Sequence, residues 1–90
     1  MGLFDYKPHI SKRSFKQVKI NLRKKGFSKK EIDKIEQIFR GDIEESGAHI
    51  GIDRSELEKG VNWMRRNPAS HGIPKRKIDV LEQELKRKIR

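Results

Sequence analysis

The chain has no cysteine, which excludes disulfide staples and thiolate metal or redox sites and fits a reducing, cytoplasmic setting. Hydrophobic residues make up only 32% of the sequence, and no apolar run approaches the roughly 20 residues a membrane-spanning helix needs. The first residues carry no apolar signal core, and Tyr6 stands where a myristoylation signal places Ser or Thr. Nucleophile elbows, phosphate-binding loops and paired catalytic carboxylates are missing, so the sequence reads as a binding protein and not an enzyme. His9, His49 and His71 fall in segments read as non-helical, and none has a ligand partner three or four residues away on a helix face. Neither a zinc site nor any other cofactor is indicated. Prolines are few, and Pro8, Pro68 and Pro74 all stand at points where a helix is barred, ends or begins.

Charge is what the sequence has in abundance. Of its 90 residues 40% are charged, with a formal net charge of +10. Ninety residues suffice for one domain with a modest core. Helix-start signals recur through it. In Gly26-Phe27-Ser28-Lys29-Lys30-Glu31-Ile32, Ser28 and Glu31 form a capping box, and Phe27 and Ile32 flank it at the spacing of a hydrophobic staple. Asp53 and Glu56 repeat the box, with Ile52 and Leu57 as staple. His9-Ile10-Ser11 makes a looser version, and Pro74 opens the last helix with proline in its first turn.

These starts predict an all-α fold, a compact four-helix domain built as two helical hairpins around one core. Helices are expected over about residues 12–25, 29–40, 54–66 and 74–89. Residues 1–10 read as an extended N-terminal arm, and residues 11–90 as the domain. Apolar stripes at helical spacing supply the core: Phe15, Val18 and Leu22; Ile32, Ile35 and Phe39; Leu57, Val61 and Met64; Ile78, Leu81, Leu85 and Ile89. Gly26 is placed to end the first helix in a left-handed turn. Gly60 lies on the inner side of the third, where a neighbouring helix can approach closely. The long connection from Gly41 to Ile52 has room for a short extended piece at Ile50 and Ile52.

The charge is unevenly placed. Residues 1–30 carry ten Lys or Arg against Asp5 alone, a net +9; residues 31–60 are net −5 and residues 61–90 net +6. Such a division reads either as acidic and basic helices attracting one another or as a polyanion-binding face built from the two ends. The candidates for that face are Lys12, Arg13, Lys16, Lys19 and Arg23 on the first helix, with Lys24, Lys25, Lys29 and Lys30 around the turn. Arg65, Arg66, Lys75, Arg76 and Lys77 join them from the C-terminal half. Phosphate backbones attract such clusters through counterion release, which needs charge density and little geometry. Non-sequence-specific association with nucleic acid, DNA or RNA, is therefore the leading reading. A helix-turn-helix that reads bases through Lys29, Lys30, Lys34 and Gln37 is a narrower form of it, opposed by the acids Glu31, Asp33 and Glu36 on the same helix.

An acidic protein partner, or dimerisation, is the competing reading. Ile20 falls among Lys16, Arg23 and Lys24, and Trp63 lies off its own apolar stripe beside Arg66. Ile20 reads first as a second packing contact, with the N-terminal arm as a candidate partner, and second as an apolar anchor for a partner protein. Trp63 reads first as core edge and second as a base-stacking or interface residue beside Arg65 and Arg66. The segment Gly51 to Leu57 resembles the second half of an EF-hand loop. In that likeness Ile52 takes the strand position, Asp53 the ninth and Glu56 the twelfth, with Asp42, Glu44 and Ser46 at early positions. It implies a degenerate calcium-responsive loop, although the span from Asp42 is longer than the EF-hand's, and Asp53 and Glu56 serve equally as helix caps. The stretch Leu22 to Ser28 with Ile32 resembles the helical-repeat motif of RecX-type recombination regulators. That likeness spans one turn and consists of the capping grammar itself, so it implies no function. The acidic pairs Glu44-Glu45 and Glu82/Glu84 read as solvated surface.

Overall fold

Three of the four long helices start where a side chain takes up a free backbone amide, as a computed structural model of the chain describes for residues 9–43 and 51–89. Ser11 accepts from the amide of Ser14 and opens α1 (Lys12–Lys24). Ser28 and Glu31 close a reciprocal box, at 3.1 and 2.8 Å, at the head of α2 (Lys29–Ile43). Asp53 and Glu56 do the same, at 2.8 and 3.0 Å, for α3 (Arg54–Arg66). The last long helix, Lys75–Lys88, has extended Pro74 as its N-cap with no side-chain hydrogen bond.

The end of α1 is equally well specified. Gly26 adopts a φ of 100°, its amide donates to the Arg23 carbonyl and the next amide, of Phe27, reaches the Leu22 carbonyl at 3.0 Å. This is the Schellman arrangement, which needs a left-handed residue at that point and here has a glycine. Phe27 and Leu22 are both buried in the same core, so the turn that reverses the chain also anchors α2 against α1.

Several boundaries differ from the sequence expectation. Helix α2 continues through Gly41 to Ile43 because Ile43 follows Phe39 by four residues and is buried with it. Its burial outweighs the roughly 0.5–1 kcal/mol that glycine costs a helix interior. Asn67-Pro68 does end α3, but proline then occupies the first position of a further short helix, α4 (Pro68–His71). The last long helix is thus α5 (Lys75–Lys88). His71 is therefore helical, and it is buried. Its Nε2 lies 2.7 Å from the Met64 carbonyl and its Nδ1 accepts from the Ile73 amide at 2.9 Å. Accepting at Nδ1 leaves the proton on Nε2, so the ring ties α3 to the start of α5 as a donor and an acceptor at once.

Residues 1–8 of the expected arm lie outside the described residues, as do Ile50 and most of the long connection. The two described residues of the arm form β1 (His9–Ile10), which pairs antiparallel with β2 (Ile52–Asp53), Ile10 opposite Ile52. Both isoleucines are fully buried.

The architecture is the expected pair of hairpins, α1 with α2 and α3 with α5, around one apolar cluster. Helix α5 packs on both α1 and α3, while α2 packs on α1 and α3 from another side. Gly60 is the close approach between α2 and α3: a β-carbon there would stand 2.5 Å from two ring carbons of Phe39. Glu84, expected on the surface, is 2% exposed. It falls between Leu81 and Leu85 on the inner stripe, and Asn21, Lys25 and Arg87 satisfy its oxygens at 3.3, 3.5 and 3.2 Å. Glu82 is partly covered and bonds Arg65 at 2.7 Å. No helix among the described residues is long and apolar enough to cross a membrane.

Candidate nucleic-acid interface

The fold divides the basic residues into two groups by what they touch. Four of the sequence candidates are ion-paired across helices. Lys19 meets Glu36 at 3.2 Å between α1 and α2, and Lys25 meets Glu84 between α1 and α5. Arg65 forks between Asp79 at 2.8 Å and Glu82 at 2.7 Å, joining α3 to α5. Lys77 reaches Glu31 at 2.8 Å and the Gly26 carbonyl at 3.2 Å, with its ammonium 5.4 Å from the centre of the Phe27 ring. These cations help hold the helices together, as the attracting-helices reading expected.

The other candidates have no acidic partner among the described residues. Lys12, Arg13, Lys16, Arg23 and Lys24 stand exposed on α1. Lys29 and Lys30 are exposed in the first turn of α2, Lys75 and Arg76 in the first turn of α5, and Arg66 at the end of α3. The Lys77 contacts bring the start of α5 against the α1–α2 turn. Lys24, Lys29, Lys30, Lys75 and Arg76 consequently belong to one end of the molecule, although 45 residues or more separate the last two from the rest in sequence. The outer face of α1 runs away from that end with Lys12, Arg13, Lys16 and Arg23, and Arg66 stands apart on α3.

The acids that weighed against phosphate contact on α2 are largely neutralised in place. Glu31 is taken up by Lys77 and the Ser28 amide, and Glu36 by Lys19. Burial pushes the Glu31 carboxyl up, but Lys77 and the Ser28 hydrogen bonds together outweigh it and hold the group below its ordinary value. Hydrogen bonding to Arg65, assisted by Lys86, likewise lowers Glu82, and the same bonds to Glu82 and Asp79 raise Arg65. Asp33 and Glu58 have neither a cation nor a capping role among the described residues.

No protein-family model, curated protein or solved structure matches this chain. The geometry is therefore what bears on function.

Ile20 and Trp63 both stay in contact with solvent, at 46% and 40% exposure. Residues 1–8 of the arm expected to pack on Ile20 lie outside the described residues. The Trp63 ring stands 6.2 Å from that of His71. Arg65 is turned to Asp79 and Glu82 on α5, while Arg66, three residues after Trp63, is exposed with no acidic partner among the described residues. For the EF-hand likeness, the Glu56 carboxylate is engaged with the Asp53 amide and the Asp53 carboxylate with the Glu56 amide. Glu44 and Ser46 lie outside the described residues. Among those described, no group of three or more His, Asp or Glu side chains converges as a metal site.

Sequence reasoning passed over Arg40, which borders a depression between α1 and α2 together with Lys12, Arg13 and Lys16. Its position, four residues after Glu36 on the same flank of α2, was the available signal.

Proposed function

We propose that the protein is a small helical module that associates with nucleic acid through the phosphate backbone, without reading sequence. The reading rests on one observation: most of the candidate cations left after internal pairing are exposed and run from the outer face of α1 to the end where α2 and α5 begin, Arg66 on α3 being the exception. Backbone phosphates are matched by such a surface, because counterion release rewards each neutralised phosphate whatever the base sequence. Among the described residues none of these lysines and arginines holds an acid, so none of them ties one helix to another. The role proposed is binding, with no catalytic step.

Fluorescence anisotropy with labelled duplex and single-stranded oligonucleotides of mixed sequence tests this. Binding at low ionic strength is expected for unrelated sequences alike. The logarithm of the affinity should fall linearly with the logarithm of salt, by about 0.9 per contacted phosphate for duplex and about 0.7 for single strands. Absence of binding to either oligonucleotide at low salt refutes the proposal, and strong preference for one duplex sequence refutes its non-specific character.

A further inference from the structure

We propose that the channel between α1 and α2 docks an acidic amphipathic helix of a partner protein. This goes beyond nucleic-acid association and is carried by a different observation, an apolar floor beneath a cationic rim. Two depressions of about 360 and 420 Å³ adjoin along the α1–α2 seam and together are called the channel; Lys16, Lys19 and Glu36 line both. Phe15 and Ile43 line one end, and Ile20 and Ile32 the other. Lys12, Arg13 and Arg40 border the first end, Arg23 and Lys29 the second. None of these five cations has an acidic partner among the described residues. Of the two acids on the rim among the described residues, Glu36 is held by Lys19, which leaves Asp33.

The two chemistries together select the occupant. A phosphate backbone satisfies the rim but offers Ile20 nothing. A neutral apolar helix satisfies the floor but leaves the rim solvated. A helix with apolar residues at i, i+3 or i+4 and i+7, flanked by Asp and Glu, satisfies both at once. The 13 residues of α1 span about 20 Å, enough to seat three to four turns of such a helix. A bilayer is the wrong shape, because a flat surface cannot follow a concave channel and Ile20 is the one large, strongly exposed hydrophobic residue described on α1.

The probe is a fluorescein-labelled synthetic peptide about as long as α1, with Leu at i, i+3 or i+4 and i+7 and Glu and Ala elsewhere. Its control has the same composition, scrambled so that no apolar face forms. Anisotropy should show the amphipathic peptide binding about tenfold more tightly than the scrambled one. Ile20→Ala, at an exposed helical position that tolerates alanine, should remove most of that difference while leaving duplex DNA affinity unchanged. Lys16→Gln should weaken both ligands. Equal binding of the two peptides, or an Ile20→Ala variant that discriminates them as well as the parent does, overturns the proposal. Flotation with phosphatidylserine vesicles that depends on Ile20, with no peptide discrimination, overturns it in favour of a membrane surface. The DNA arm is read independently, so failure of the channel and failure of nucleic-acid association are distinguishable.

Discussion

Replacing Gly60 with alanine should destabilise the protein, against the ordinary rule for helices. Gly60 is inside α3, where alanine's better helix propensity would by itself stabilise by about 1 kcal/mol. The added β-carbon, however, would sit 2.5 Å from Cε1 and Cζ of Phe39, and carbon atoms in good contact stand roughly 3.5–4.0 Å apart. About 1 Å of separation must come from α2, α3 or the ring. The ring has little freedom: Phe39 is fully buried and meets Phe15 at a centroid distance of 6.4 Å. Overpacking of this kind costs about 1–3 kcal/mol, and an enclosed ring places it toward the upper end. The net loss is then about 1–2 kcal/mol, which in a domain of this size lowers Tm by roughly 4–8 °C per kcal/mol. Gly41→Ala is the matched control, since no described residue beyond its own helix backbone lies within 4 Å of its β-carbon position in α2. That substitution should stabilise by about 0.5–1 kcal/mol. Urea and thermal unfolding followed by circular dichroism measure both. A Gly60→Ala variant as stable as the parent, or a pair of variants shifted equally, would refute the close packing of α2 on α3.

Stability should also fall on acidification. Glu31 and Glu82 titrate below their ordinary value of 4.5 in the folded protein, so the unfolded chain takes up protons first. Their contribution is complete above about pH 4.5 and is lost as pH falls through the lower folded values. Urea midpoints measured from neutral pH downward should decline there, and Lys77→Met should flatten the Glu31 part of the decline. The two capping boxes are far enough apart in the chain to act separately. Ser28→Ala and Asp53→Ala should each cost about 1 kcal/mol in urea unfolding, and the double variant should show their sum within about 0.5 kcal/mol. Glu84→Ala should cost about 1.5–3 kcal/mol, the range for hydrogen bonds to a charged group. Glu84→Gln, which keeps an acceptor for Asn21, should cost clearly less, and equal losses would mean that the charge alone carries the contribution and the retained acceptor adds nothing.

Local chemistry was legible in the sequence wherever neighbours within one turn decide the outcome. Ser28 with Glu31, Asp53 with Glu56, and Gly26 after Lys25 all act as their types and spacings require, and every stripe residue from Phe15 to Leu85 is buried. The misses share a dependence on distant partners. Glu84 sits at a stripe position that reads as an error for a carboxylate until Asn21 and Lys25 are seen to surround it. Pro68 signals the end of α3 and, through proline's fitness for a first turn, the start of α4 as well; the burial of His71 decides for the second role. The pairing of Ile10 with Ile52 brings together residues 42 positions apart, which no local pattern encodes. For the candidate interface, the basic ends were plain from composition. Which cations are consumed internally was not, because Lys77 and Arg65 look the same in sequence as Arg76 and Arg66.

That division between consumed and unpaired cations is the central claim, and the salt dependence of DNA binding tests it most directly. Neutralising Lys24, Lys29, Lys30 and Arg76 together with Gln should flatten the salt slope by up to about 0.9 for each lost phosphate contact and weaken binding markedly at low salt. Arg65→Gln, which loses the contacts to Asp79 and Glu82, should lower stability and leave the slope of the folded protein unchanged. A fourfold variant with the parent's slope and affinity, or an Arg65→Gln variant that loses as much binding as the fourfold one, would contradict the account.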